Sequence, residues 1–145
     1  AQVMGDRVAR LGIHPDVRGR PFAVVPVPTT RARARRRGYN QAKLLAEVVA
    51  AATHRPLLEA LLRRSGGTTQ VSLHPAQRLA NVRRAFSVRE DAKLRLQGMS
   101  IVLVDDVLTT GATAGAAAEA LQGAGSGGVY LSAFARAFPD MTESP

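Results

Sequence analysis

The sequence predicts an α/β domain, a parallel sheet flanked by helices. Two apolar runs, Phe22-Ala23-Val24-Val25-Pro26-Val27 and Ile101-Val102-Leu103-Val104, show no alternation and read as strands buried on both faces. Between and after them lie stretches of helical spacing or composition, so strands alternate with helices, the pattern of a parallel sheet. The length of 145 residues with 46% hydrophobic content suits one domain, 1–145, with a sizeable core, and argues against disorder.

The elements follow in order. Val3, Met4, Val8 and Leu11 stand at helical spacing before Gly12 and Pro15. They read as the tail of a longer helix, so the domain is expected to be N-terminally shortened. The first strand, 22–27, carries Pro26 and is followed by Pro28; prolines cannot donate to a ladder, and they are expected to mark its end and a stiff turn. Leu44, Leu45, Val48 and Val49 mark an amphipathic helix to about Thr53, stopped before Pro56. Residues 57–62 fit a strand or a helical turn. Residues 63–80 are polar, with Gly66-Gly67 and Pro75, and a long irregular stretch of this kind is often a functional lid. A short helix is expected within 78–85, a short strand at Phe86-Ser87-Val88, and a charged connection over 89–98. After the second apolar run, 114–122 is helical by propensity, with Gly123 and Gly125 as its stop. Residues 129–134 form the last strand, and 138–145 a tail.

Charge divides the chain. Residues 1–95 hold 19 Lys/Arg against 6 Asp/Glu, whereas residues 96–145 hold 1 against 5. The basic part suits polyanions such as pyrophosphate or nucleic acid. Five of its arginines fall in seven residues, Arg31, Arg33, Arg35, Arg36 and Arg37, just before Tyr39. These five, apart from Arg31 beside the proline turn, form with Tyr39 the candidate nucleic-acid surface. Several classes drop out. Cysteine is absent, so there is no disulfide frame, thiolate nucleophile or cysteine zinc site. The histidines, His14 and His74 among them, have no partner at metal or triad spacing, and no metal ligand set is read. No apolar run approaches the roughly 18 residues of a membrane span, and no leader-like segment opens the chain. A cytoplasmic location is the expectation. A Walker loop is missing, and no Gly-x-Gly-x-x-Gly follows a convincing strand, so ATPase and dinucleotide readings are weak.

The chemistry concentrates in Ile101-Val102-Leu103-Val104-Asp105-Asp106-Val107-Leu108-Thr109-Thr110-Gly111-Ala112-Thr113. Two carboxylates are expected where the strand ends, followed by a Thr/Gly loop at a helix start. Ligands of open α/β sheets bind outside the carboxyl ends of strands. Helix-start amides favour phosphate, and carboxylates hold sugar hydroxyls. Asp105 and Asp106 therefore read as a ribose clamp, and Thr109, Thr110, Gly111, Ala112 and Thr113 as a 5′-phosphate cradle. Pro28, Thr29, Thr30 and Arg31, a rigid turn rich in donors at another strand end, offer a site for a second phosphate group.

These residues resemble the 5-phosphoribosyl 1-pyrophosphate (PRPP) signature of type I phosphoribosyltransferases. The resemblance implies a parallel sheet with flanking helices, a pyrophosphate loop after the first strand (often with a cis peptide), a flexible loop closing over the site at 63–80, and Mg2+ bridging pyrophosphate and ribose hydroxyls. A narrower series also matches. It comprises Val25-Pro26-Val27-Pro28, Arg37-Gly38-Tyr39-Asn40-Gln41, Leu62-Arg63, Thr69-Gln70, Arg78, Asn81-Val82, Ala85-Phe86 and the 104–113 stretch. This series resembles the ComF family of competence-associated proteins. That resemblance implies PRPP or nucleotide binding, a link to uptake of single-stranded DNA, and competence-machinery proteins as partners. Many ComF members carry an N-terminal zinc segment rich in cysteine, which this chain does not show. The alternative reading is a nucleobase phosphoribosyltransferase of nucleotide salvage, releasing pyrophosphate by displacement at ribose C1. No side chain stands out as its general base, and only about ten residues follow the last strand to form a base pocket, so enzyme and binding module both stay open. Neither the acceptor nor the oligomeric state is readable.

Overall fold

The computed structural model describes residues 20–30, 34–36, 38–63 and 85–137. The elements in chain order are β1 (Phe22–Pro26), α1 (Gln41–Thr53), β2 (Leu61–Arg63), β3 (Phe86–Val88), α2 (Glu90–Leu96), β4 (Ser100–Leu108), α3 (Ala112–Gly123) and β5 (Val129–Arg136). Among the described residues, β1, β4 and β5 form a sheet in the order β1-β4-β5, all parallel, and β2 and β3 form an antiparallel ribbon. β4, the run of Ser100 and four aliphatics that continues through the two aspartates, is the central strand. Phe22 aligns with Ser100 on one side of it, and Ile101 with Val129 on the other.

Both faces of this sheet are covered, as the unbroken apolar runs require. Ala23, Val25, Ile101 and Leu103 pack with Leu121 of α3, Leu96 of α2 and Phe86 of β3. On the opposite face Phe22, Val24, Val102 and Val104 pack with Ala46 and Val49 of α1. The alanines Ala114, Ala116 and Ala117 are the buried stripe of α3, so a helix with few bulky residues still seals its face. α1 begins at Asn40, whose Oδ1 accepts from Ala42 N–H at 3.2 Å, and ends at His54 in the left-handed region.

The prolines mark the end of β1, as expected. β1 includes Pro26, and the ladder continues one residue further, Val27 N–H donating to Val104 O at 2.8 Å. Val24 N–H donates the other way, to Pro56 O at 2.9 Å. Backbone parity therefore turns position 26 away from β4, where its missing donor costs no bond to the central strand. The ambiguous 57–62 stretch resolves into a parallel bridge from Leu57 to Val24 and then β2.

Two other expectations are corrected. The charged connection over 89–98 is largely a helix, α2. It buries only Ala92 and Leu96, one turn apart, while Leu94 is 88% exposed, so its apolar stripe is too thin to read. The acidic pair does not lie beyond a strand end: β4 runs through both to Leu108, because β5 keeps pairing alongside, Asp105 opposite Ala133 and Leu108 opposite Arg136. α3 starts at Ala112, two residues earlier than its propensity suggested. The expected helices within 1–11 and 78–85, the remainder of the lid stretch after Arg63, and the tail lie outside the described residues.

Candidate functional site

Beyond the carboxyl end of β1, beside the stretch where β4 continues to Leu108, a cleft of about 500 Å3 opens. Its floor is the acidic pair. Asp105 is buried and Asp106 half-buried. Asp106 N–H donates to Asp105 Oδ1, and Val107 N–H to Asp106 Oδ1, each at 2.9 Å. Consecutive strand residues start toward opposite faces. Here each carboxyl folds forward onto the next amide, and both line the one cleft. Burial first, and then the side chain and charge of Asp106, push the Asp105 carboxyl up to about 6, against the opposing pulls of the Asp106 N–H bond and of Arg63. A carboxyl so placed gains from hydroxyl donors that restore its lost hydration.

One wall is the loop into α3. Gly111 has φ of +81°, a conformation that costs a residue with a Cβ about 1 kcal/mol or more. It is the N-cap of α3 and brings no side chain to cap the helix. The N-cap therefore takes none of the first-turn amides, and those of Thr113 and Ala114 belong to residues of the cleft lining, along with Thr109 and Gly111. Thr110 and Ala112 stand behind: Thr110 Oγ1 accepts from Ala112 N–H at 3.3 Å and shapes the turn.

The opposite wall is the β1 turn, with Pro28, Thr29 and Thr30 in the lining. Asn40 ties it to the start of α1 by donating from Nδ2 to Val27 O at 3.3 Å. Ala34 N–H donates to Thr30 O at 2.9 Å, so the arginine-bearing turn springs directly from this wall. Arg36 and Tyr39 join the cleft lining, and Arg35 is exposed without joining it. Arg31, Arg33 and Arg37 lie outside the described residues. No peptide bond among the described residues is cis, including those of the β1 turn there. Nor do the described residues hold a group of three or more His, Cys, Asp or Glu that could ligate a metal ion.

No protein-family model matches the chain. It is 35% identical over 109 residues to the competence protein ComFC of Bacillus subtilis, covering 75% of this chain and 40% of that protein. It is 39% identical over 94 residues to competence protein F of Haemophilus influenzae, covering 64% and 41%. With the DNA utilization protein YhgH of Escherichia coli it shares 35% over 112 residues, covering 77% and 48%. The chain belongs to the ComF family. This ComF chain spans less than half the length of the curated relatives it matches. Among solved structures, it is similar to glutamine PRPP amidotransferase from Bacillus subtilis (TM-score 0.60, 22% identity, 91% of this chain and 25% of that one). It is also similar to a hypoxanthine phosphoribosyltransferase from Staphylococcus aureus (TM-score 0.57, 13% identity, 99% and 68%). The ComF chain therefore has the type I phosphoribosyltransferase fold.

Three polar cleft residues escaped the sequence reading of the site. Asn40 carried a usable signal, an N-cap residue before an amphipathic helix. Gln41 follows it within the motif that resembles the family, where Arg37 and Tyr39 alone have a role. Arg63 stands in the same series, after Leu62, but a partner far away in sequence places it at the cleft.

Proposed function

We propose that this ComF domain binds PRPP or a closely related nucleotide and serves the handling of single-stranded DNA. In this reading Asp105 and Asp106 hold the ribose hydroxyls. The loop Thr109, Thr110, Gly111, Ala112 and Thr113 takes the 5′-phosphate, and Pro28, Thr29, Thr30 and Arg31 take the pyrophosphate. The observation that carries it is the opening of an acidic pair and the glycine-capped start of α3 onto one cleft of about 500 Å3, within the range of small-ligand pockets. A diol clamp and a phosphate cradle on one cleft suit a phosphorylated sugar. The DNA half of the reading draws support from the names of the relatives, competence and DNA utilization proteins, and from the arginines beside the cleft.

The donor set also suits Mg2+. The ion keeps several waters and is commonly held by substrate phosphates rather than an all-protein cage. No such cage exists among the described residues. When bound with PRPP, Mg2+ would neutralise charge on the pyrophosphate, while Asp105 and Asp106 would fix the ribose hydroxyls.

Calorimetric titration with PRPP, with and without Mg2+, tests the reading. Wild type is expected to bind, and Asp105→Ala with Asp106→Ala to abolish binding while circular dichroism shows the fold intact. Retained affinity in that variant sinks the reading. Pyrophosphate release from PRPP on addition of a purine or pyrimidine base would instead assign a salvage transferase. Silence across a base panel, with binding intact, supports a binding module.

A further inference from the structure

Arg63, the last residue of β2, stands in the cleft wall and has no role in the reading above. Two contacts of its side chain bear on the cleft wall and the core. Nη1 donates to Pro28 O at 3.4 Å, and the guanidinium carbon lies 5.2 Å from the centroid of the Phe86 ring. Phe86 is itself buried in the core. The β2–β3 ribbon, three residues a strand, thus mounts a cation on the hydrophobic core and holds it against the β1 turn. The charge reaches the acidic floor as well, since it favours the ionised form of Asp105. A guanidinium carries five N–H donors in a planar fork, which matches the oxygens of a phosphate better than an ammonium does. Without a cation here, a pyrophosphate in the cleft would face the two aspartates with Arg36 as the other described cation of the lining.

We infer that Arg63 binds the pyrophosphate end of the ligand, and that its hydrogen bond to Pro28 O sets the position of the β1 turn for that group. The inference rests on the PRPP reading and adds to it a residue from a different element, the ribbon.

Calorimetry on the whole chain in Mg2+ tests it with three ligands: PRPP, inorganic pyrophosphate and ribose 5-phosphate. Arg63→Gln is expected to weaken PRPP and pyrophosphate by about 10- to 100-fold, the worth of a charge-assisted hydrogen bond, and ribose 5-phosphate by less than about twofold. Arg63→Lys keeps the charge without the fork, and is expected to recover part of the pyrophosphate affinity. Equal loss for all three ligands means that Arg63 acts only through the fold, and overturns the assignment. So does unchanged affinity for PRPP and pyrophosphate. A wild-type chain that binds pyrophosphate but not PRPP defeats the PRPP reading, while the pyrophosphate arm still decides the role of Arg63.

Discussion

At Asp105 the needs of the site oppose the needs of the fold. Burial holds its carboxyl at about 6, against an ordinary value of 3.8. Between those values the folded chain binds more protons at this group than the unfolded chain does. Its contribution to stability therefore falls as pH rises from about 4 to about 6, and the loss persists at neutral pH. Asp105→Asn removes the charge and keeps the shape. The variant is expected to be more stable than wild type at pH 7 by about 1–2 kcal/mol, a figure reduced for solvent screening. The gain should vanish below about pH 4, where the carboxyl is protonated in both states. Urea denaturation at pH 7 and at pH 4 measures both. A stability difference independent of pH, or a loss at pH 7, contradicts this account of the residue. The burial that raises the carboxyl also explains why the sequence alone was a poor guide to its setting. The adjacent aspartates were legible as an acidic pair, but nothing in their spacing said that β4 would carry them past the expected strand end beside Ala133 and Ala135.

At the scale of elements, the turn after β1 and helix α1 are joined through one side chain. Asn40 accepts from Ala42 N–H as the N-cap and donates to Val27 O in the cleft wall. Asn40→Ala is expected to cost about 1 kcal/mol, the usual worth of a cap. For a domain of this size that lowers Tm by about 2–4 °C. Asn40→Asp keeps the acceptor and is expected to melt close to wild type, though without the bond to Val27 O. Thermal melts of the two variants separate cap from tie; equal Tm losses in both would deny the cap its role. β1, β4 and α1 were legible because their apolar residues repeat over enough length to show a period or an unbroken run, and α3 because its alanines favour a helix. α2 was not, since its buried contacts are Ala92 and Leu96 alone. β2, with no more than three residues, left strand or helical turn equally open until its pairing with β3 decided it, and Arg63 takes its place in the cleft from Pro28, 35 residues earlier. Short elements that tertiary contacts create leave little trace in local sequence.

Across the whole molecule, charge and cleft divide the proposed ligands between two surfaces. Residues 1–95 carry 19 Lys/Arg against 6 Asp/Glu, and Arg35 and Arg36 display part of that excess beside the cleft mouth. Inside the cleft, by contrast, stand two aspartates whose proposed use is to accept hydrogen bonds from adjacent hydroxyls. The interior sugars of DNA lack the 2′-hydroxyl, so a DNA strand gains nothing from that pair and meets only its negative charge. Single-stranded DNA is therefore expected on the basic rim, held by phosphate contacts and weakened steeply by salt. For single strands the logarithm of the binding constant changes by about −0.7 per contacted phosphate for each unit of log salt. Arg35→Ala, Arg36→Ala and Arg37→Ala combined should flatten the slope by roughly 2 if each arginine neutralises one phosphate. Asp106→Asn should leave the slope unchanged and the affinity equal or higher, while PRPP binding is lost. Fluorescence anisotropy of a labelled oligothymidylate over a salt series reads both. An unchanged slope in the triple variant moves the strand to another surface, and a loss of DNA affinity in Asp106→Asn places it inside the cleft.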